Sequence, residues 1–195
     1  HFATNNGLNE VILKPVDAAA SVGVRPIDLT RSEREQRQVA YELLNIFEQM
    51  PMTEETRDCT TNQVLLQERL RGEEFSVEAV SFGHSVETLG VHWKVDIDSD
   101  DSRFFERLFV TLDPETPECR ELTKQHEIIV RHLYSEHKTV AIHAEYRLEN
   151  SVAKVLEIAL RPGGGMVPHS IAAHRGFSTY QAWLGRMLGQ AIDQP

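Results

Sequence analysis

KTVAIHAEYRLENSVAKVLEIALRPGGG, Lys138 to Gly165, alternates apolar and polar residues along two arms that flank Glu149-Asn150-Ser151 and ends in a glycine run. This pattern is that of a β-hairpin. Ile142, Ala144, Tyr146 and Leu148 point to one face together with Leu156, Ile158 and Leu160. The opposite face carries His143, Glu145 and Arg147 from the first arm and Glu157, Ala159 and Arg161 from the second. A turn centred on Ser151 sets Glu145 directly across from Glu157, with Cβ atoms roughly 5 Å apart. Carboxylates so close repel unless a proton or a cation lies between them. Oxygen-only donors suit a hard ion such as Mg²⁺, completed by phosphate oxygens. Arg161 emerges on the same face just before Gly163-Gly164-Gly165, where backbone can approach a ligand closely. A solvated hairpin face is the alternative reading of the acidic pair. The neighbouring arginine and glycines tilt the balance toward a phosphate or carboxylate site.

The chain has 195 residues, 41% of them hydrophobic, enough for a core in one or two small domains. A net charge of −10 with no Lys/Arg-rich run argues against a nucleic-acid surface. No apolar run approaches the roughly 20 residues of a membrane span, and no signal peptide is visible. Cys59 and Cys119 show no metal-ligand spacing, which fits a reducing, cytoplasmic setting. The start at His1-Phe2, without methionine, leads us to expect a part of a longer polypeptide, or one processed or trimmed.

Asn9–Val16 reads as a buried strand, and Ala18–Val24 (AAASVGV) as a tight, mobile loop of small residues. Arg31–Met50 is an amphipathic helix with Val39, Ala40, Leu43, Leu44 and Phe47 inward. Ser32 and Glu35 form a capping box at its start. Gln63–Arg69, Glu74–Phe82 and Val86–Ile97 read as strands, and Phe104–Leu112 as strand-like. The acidic Asp96–Asp101 reads as a solvated loop. Pro117–Glu136 is a helix with Pro117 in its first turn and Leu122, Ile129 and Leu133 inward. A last helix, Thr179–Ile192, has a second capping box at Ser178 and Gln181. Its Tyr180, Trp183, Leu184, Met187, Leu188 and Ala191 are expected to pack inward. The fold class is α+β, antiparallel sheets with flanking helices. The acidic and polar stretch near residues 83–103 suggests a boundary, giving domains 1–82 and 83–195.

Three stretches together resemble the ATP-grasp family: Val11–Pro15 (VILKP) with Ala20–Val24 (ASVGV), Leu65–Glu78 (LLQERLRGEEFSVE), and the hairpin HAEYRLE with LEIALRPGGG. Their order and spacing are similar to the family's A and B subdomains over nearly the whole chain, with residues 1–82 as A and 83–195 as B. The hairpin most resembles the branch of amino-acid ligases and other carboxylate–amine ligases. The family's preceding domain has no counterpart in the sequence.

The resemblance implies two α+β subdomains enclosing a nucleotide site, with ATP and Mg²⁺ or Mn²⁺ as cofactors. Lys14 resembles the lysine that reaches the α- and β-phosphates. Ser21 and Gly23 would offer hydroxyl and backbone N–H groups to the terminal phosphate. Gln67, Glu68 and Leu70 lie in the segment that the family uses to read adenine, and Glu74 resembles the acid that holds the ribose. Lys94 is a further phosphate contact by the same resemblance. Taken singly, Lys14, Glu74 and Lys94 are equally well ordinary surface residues. Glu145 and Glu157 resemble the two acids that hold the metal, Arg161 the arginine that steadies an acyl phosphate, and His143 a partner behind them. Many members carry Asn where this chain has Ala159, which cannot ligate; a subtype and a loss of activity both fit. The implied activity is ATP-dependent joining of a small carboxylic acid, such as an amino acid, to an amine through an acyl phosphate. The alternative is a catalytically silent ATP-binding module with a regulatory or structural role. Neither nucleic acid nor membrane is implied as partner, and a homodimer stays open.

Overall fold

A computed structural model describes residues 7–16, 21–49, 63–95, 108–134 and 139–190. Two compact units divide the chain, one of His1–Arg69 with Asp98–Phe105, the other of Leu70–Ile97 with Glu106–Pro195. In the first, β1 (Glu10–Pro15) is the middle strand, antiparallel to β2 (Arg25–Asp28) and β3 (Val64–Glu68). Helix α1 (Glu33–Gln49) begins with the expected box, the Ser32 N–H donating to Glu35 Oε2 at 3.1 Å and the Glu35 N–H to Ser32 Oγ at 3.4 Å. Val11, Ile27 and Leu43 are buried, whereas Leu44, expected inward, is exposed; the Phe47 side chain lies outside the described residues.

The second unit is built on a five-stranded antiparallel sheet in the order β6-β5-β4-β7-β8. Its strands are β4 (Glu73–Phe82), β5 (Ser85–Val95), β6 (Leu108–Thr111), β7 (Val140–Glu149) and β8 (Val152–Ala159). The sequence reading expects a boundary after residue 82, and the compact units divide at another place. β4 is hydrogen-bonded to β5 on one side and β7 on the other, so the division falls between Arg69 and Leu70.

Alternation along β4 sends Phe75, Val77 and Ala79 to one face and Glu74, Ser76, Glu78 and Val80 to the other. The first face packs on α2 (Pro117–Leu133), burying Phe75, Val77, Val91, Cys119, Leu122, Ala144 and Tyr146 in one cluster. Fully burying each large side chain of this kind contributes about 1.5–3 kcal/mol. Thr116 caps α2 and Pro117 occupies its first turn. The buried face of α2 is Cys119, Leu122, His126 and Val130; Leu133, expected inward, is 53% exposed at the helix end. On the other face, Val80 and Leu89 pack with Ile171 of α3 (Val167–Arg175), with Phe177 in the link that follows it, and with Ala182 of α4 (Thr179–Met187). The Ser178–Gln181 box is present. The apolar stripe of α4 is offset from the expectation: Thr179 and Ala182 are buried and Trp183 is half-buried, while Tyr180, Leu184, Met187 and Leu188 are exposed. Ala191 lies outside the described residues, as do Cys59, Asp96–Asp101 and Phe104. Strand β2 and helix α3 are additions to the sequence reading. No helix among the described residues is long and apolar enough to cross a membrane.

The hairpin turns more tightly than expected. Asn150 and Ser151 alone form it, with φ of 51° and 63°, the left-handed pair of a type I′ turn. Glu149 therefore pairs with Val152 and Tyr146 with Val155, but the register then shifts and Glu145 pairs with Glu157. Leu156 is the extra residue of a β-bulge. On either side of the bulge, the β8 residues that pack on the core are Ala153 and Ile158, while Val155, the partner of Tyr146, is 36% exposed and Leu160, expected inward, is 50% exposed.

Candidate active site

The open part of the polar sheet face lies beside α3, and its side chains are arranged in cross-strand rows. In one row Lys94, Glu74, Arg147 and Lys154 are successive partners across β5, β4, β7 and β8. In the next stand Thr111, His92, Ser76, Glu145 and Glu157, and in the third Gly90, Glu78, His143 and Ala159. Five strands thus deliver acids and bases to one surface, with the ladder irregular just after Glu78 and between Glu145 and Tyr146.

Lys94 Nζ lies 2.6 Å from Glu145 Oε1 and 3.2 Å from Glu74 Oε1. Arg147 Nη2 takes the other Glu74 oxygen at 2.5 Å, while its Nη1 donates to the Gly72 carbonyl at 2.9 Å. His143 stands between two carboxylates: Nδ1 bonds Glu78 Oε1, and Nε2 is 3.4 Å from Glu145 Oε1. The second Glu78 oxygen accepts the Gly163 N–H at 3.1 Å. Burial alone would lower the His143 pKa, but the hydrogen bonds to Glu145 and Glu78 prevail and raise it to about 9. Burial works against charge on Glu145 too, yet His143 and Lys94 bring its pKa down to about 2. Glu145 is thus held as an anion between two cations. His92 Nε2 meets Ser170 Oγ at 2.6 Å, and that hydroxyl meets Thr111 Oγ1 at 2.9 Å, which seats the first turn of α3 on the sheet.

Of the residues singled out from sequence, Glu74, Lys94 and Glu145 form one ion network, with Glu157 across the ladder from Glu145 and exposed. Arg161 is exposed and donates to the Pro162 carbonyl at 2.9 Å. The cations that counter the Glu145 carboxylate are Lys94 and His143. The reason is register: Lys94 and Arg147 flank Glu74 in one row, and Lys94 reaches Glu145 diagonally in the next. Leu70 opens this unit. Lys14, Ser21, Gly23, Gln67 and Glu68 belong to the first unit. There Lys14 pairs with Leu65, Gln67 with Ile12 and Glu68 with Val11. Ser21 (φ 58°) and Gly23 (φ 76°) shape a turn closed by the Val24 N–H on the Ser21 carbonyl at 3.2 Å. A Cβ on Gly23 would lie 2.8 Å from Pro15 Cγ and 2.9 Å from Leu43 Cδ1, so only glycine fits.

Glu78 and His92 went unnoticed in the sequence, although EEFSVEAV places Glu74, Ser76 and Glu78 on one face by simple alternation. No group of three or more His, Cys, Asp or Glu side chains suited to a metal occurs among the described residues. The hairpin nevertheless fits a cation that takes most of its shell from elsewhere. Two carboxylates are Cα partners there, and an ammonium group already rests on one of them.

The model of the ATP-grasp domain family matches residues 8–169. Among solved structures, the L-amino acid ligase from Bacillus licheniformis is 20% identical with a TM-score of 0.68, over 98% of this chain and 48% of that one. The D-alanine–D-alanine ligase from Bacillus anthracis is 16% identical with a TM-score of 0.57, over 97% of this chain and 56% of that one. Carboxyaminoimidazole ribonucleotide synthase from Aspergillus clavatus, solved with ATP, is 15% identical with a TM-score of 0.61, over 99% and 44%. The chain thus spans about half the length of these three structures. No curated protein sequence matches it significantly.

Proposed function

The chain belongs to the ATP-grasp domain family, and from that premise we propose that it serves the ATP-dependent joining of a carboxylate to an amine. In the proposed reaction an acid's carboxylate oxygen attacks the terminal phosphorus of ATP, ADP leaves, and an acyl phosphate forms. The amine then attacks the acyl carbon, phosphate departs with its electron pair, and the nitrogen gives up one proton to the departing phosphate or to water. Glu145 and Glu157 are the residues that would hold Mg²⁺, which when bound supplies counter-charge to the phosphates. Lys94 would release Glu145 and turn its ammonium to a phosphate; Lys14 would offer its own ammonium to the phosphates as a point charge. Arg161 presents a planar donor fork to the acyl phosphate. Ser21 and Gly23 cover the terminal phosphate, Gln67, Glu68 and Leu70 read the adenine, and Glu74 takes the ribose hydroxyls. The protein's contribution is positioning and charge neutralisation, with no covalent enzyme intermediate.

The observation that carries this reading is the facing pair Glu145 and Glu157, one member already neutralised by Lys94 and His143. The names of the L-amino acid and D-alanine ligases support the substrate class. The second reading, a silent nucleotide-binding module, is favoured by one observation: Ala159 stands opposite His143 at the end of the site and offers no ligand. The intact polypeptide, given ATP, Mg²⁺ and mixed amino acids, is expected to release ADP only when both acid and amine are present. Nucleotide binding without acceptor-dependent ADP would favour the silent module.

A further inference from the structure

Glu78 is fully buried in the middle of β4, at a position where its neighbour on the same face, Val80, is equally buried and apolar. Burying a carboxylate is costly, and replacing a buried ion pair by packed apolar side chains is often neutral or stabilising. Fold stability alone therefore does not explain an acid at this position. Its two oxygens have separate partners: one bonds His143 Nδ1, whose other nitrogen faces Glu145, and the other accepts the Gly163 N–H. Gly163 is shaped to this contact. A Cβ there would lie 2.5 Å from Glu78 Oε1, 2.9 Å from His143 Nδ1 and 3.0 Å from Val167 Cγ1. Its φ is outside the left-handed range, so close approach, and not backbone conformation, is what demands glycine.

We propose that Glu78 is a positioning residue that sets two parts of the site at once: Glu145 through His143, and the loop carrying Arg161 through the Gly163 N–H. This rests on the ligase reading above, which supplies the roles of Glu145 and Arg161. A carboxylate can accept from both partners simultaneously. The amide of Glu78→Gln has one acceptor oxygen, so it cannot accept from His143 and Gly163 together; it keeps both only by donating an N–H to an unprotonated Nδ1, which removes the His143 charge that faces Glu145.

The test uses the full chain and measures Mn²⁺ affinity with a non-hydrolysable ATP analogue, together with hydrogen exchange of the 161–166 segment. Glu78→Gln is expected to weaken Mn²⁺ tenfold or more and to speed exchange around Gly163. Val80→Ala, a cavity on the same face of the same strand, is expected to lower the melting temperature yet leave Mn²⁺ affinity within twofold. His143→Asn should weaken Mn²⁺ similarly, and adding Glu78→Gln to it should cost less than a further twofold, the non-additivity of groups acting in series. Gly163→Ala keeps every charge and serves if Glu78→Gln does not fold; it too should weaken Mn²⁺. Wild type that takes up no Mn²⁺ with the analogue overturns the ligase reading and this inference with it. Wild type that does, with Glu78→Gln or Gly163→Ala inside the twofold band of Val80→Ala, overturns the positioning role alone.

Discussion

His126 and Tyr146 show how one residue of a helix carries a condition on solvent into the core. His126 Nδ1 lies 2.7 Å from the Tyr146 hydroxyl, both side chains are fully buried, and the rings meet edge to face. Burial pushes the His126 pKa down to about 4, so the ring is neutral in the folded protein at neutral pH. The sign follows: between pH 6.5 and about 4 the unfolded chain binds the extra proton, so stability is full above 6.5 and is lost as pH falls through that window. His92, depressed to about 4 chiefly by burial, adds a loss of the same sign. Denaturant titrations at pH 7 and pH 5 should show wild type less stable at pH 5 and His126→Leu with a smaller difference between the two. Tyr146→Phe should cost about 1–3 kcal/mol at pH 7, because the buried imidazole loses its partner. An equal pH response in wild type and His126→Leu would count against this assignment.

The β7–β8 hairpin is the element on which the site depends, and its turn is not optimal. Ser151 sits at φ 63°, a conformation costly for a residue with a Cβ, at the turn position where glycine is favoured after asparagine. Ser151→Gly should therefore stabilise the protein by about 1 kcal/mol, read as a higher denaturant midpoint with an unchanged slope. The contact of the Gln125 amide with the residue-151 carbonyl, 3.2 Å, is to backbone and is kept. This hairpin also shows what was legible in the sequence. Alternation identified both arms and the pairing of Glu145 with Glu157, but by an incorrect route. A turn centred on Ser151 would have produced that pairing directly; the observed two-residue turn would have set Glu145 against Leu156, and the bulge at Leu156 restores it. Periodicity does not reveal bulges, because one extra residue leaves each arm's pattern locally intact. Capping boxes at Ser32 and Ser178 were legible because they are local hydrogen-bonding devices. The inward face of α4 was not, since Tyr180, Leu184 and Met187 make a convincing stripe and only the packing of Ala182 on Ile171 and Phe177 shows which side is covered. Lys94, Glu74 and Glu145 were each found, but their meeting depends on the register of three strands, which no single segment encodes.

At the scale of the whole molecule, the sheet order β6-β5-β4-β7-β8 has a consequence in time. Its central pairing joins β4 to β7, which are far apart in the chain. The bonds that define the site span the same distance: Lys94 to Glu145 over 51 residues, Glu78 to His143 over 65, and Glu78 to Gly163 over 85. The β4–β5 and β7–β8 hairpins close short loops and have little chain entropy to overcome, whereas the β4–β7 seam must bring two finished hairpins together. The site therefore exists only once that seam has closed, and loop-closure entropy leads us to expect that closure late on the way to the native state. A ligand that needs the assembled site has nothing to bind before the barrier. Stopped-flow measurements with Mn²⁺ and an ATP analogue should accordingly show an unchanged refolding rate and an unfolding rate slowed in proportion to the ligand's stabilisation. Acceleration of refolding by the ligand would place seam closure before the barrier. For this chain, occupancy would then act as a lifetime: the nucleotide would leave the birth of the native state untouched and postpone its end.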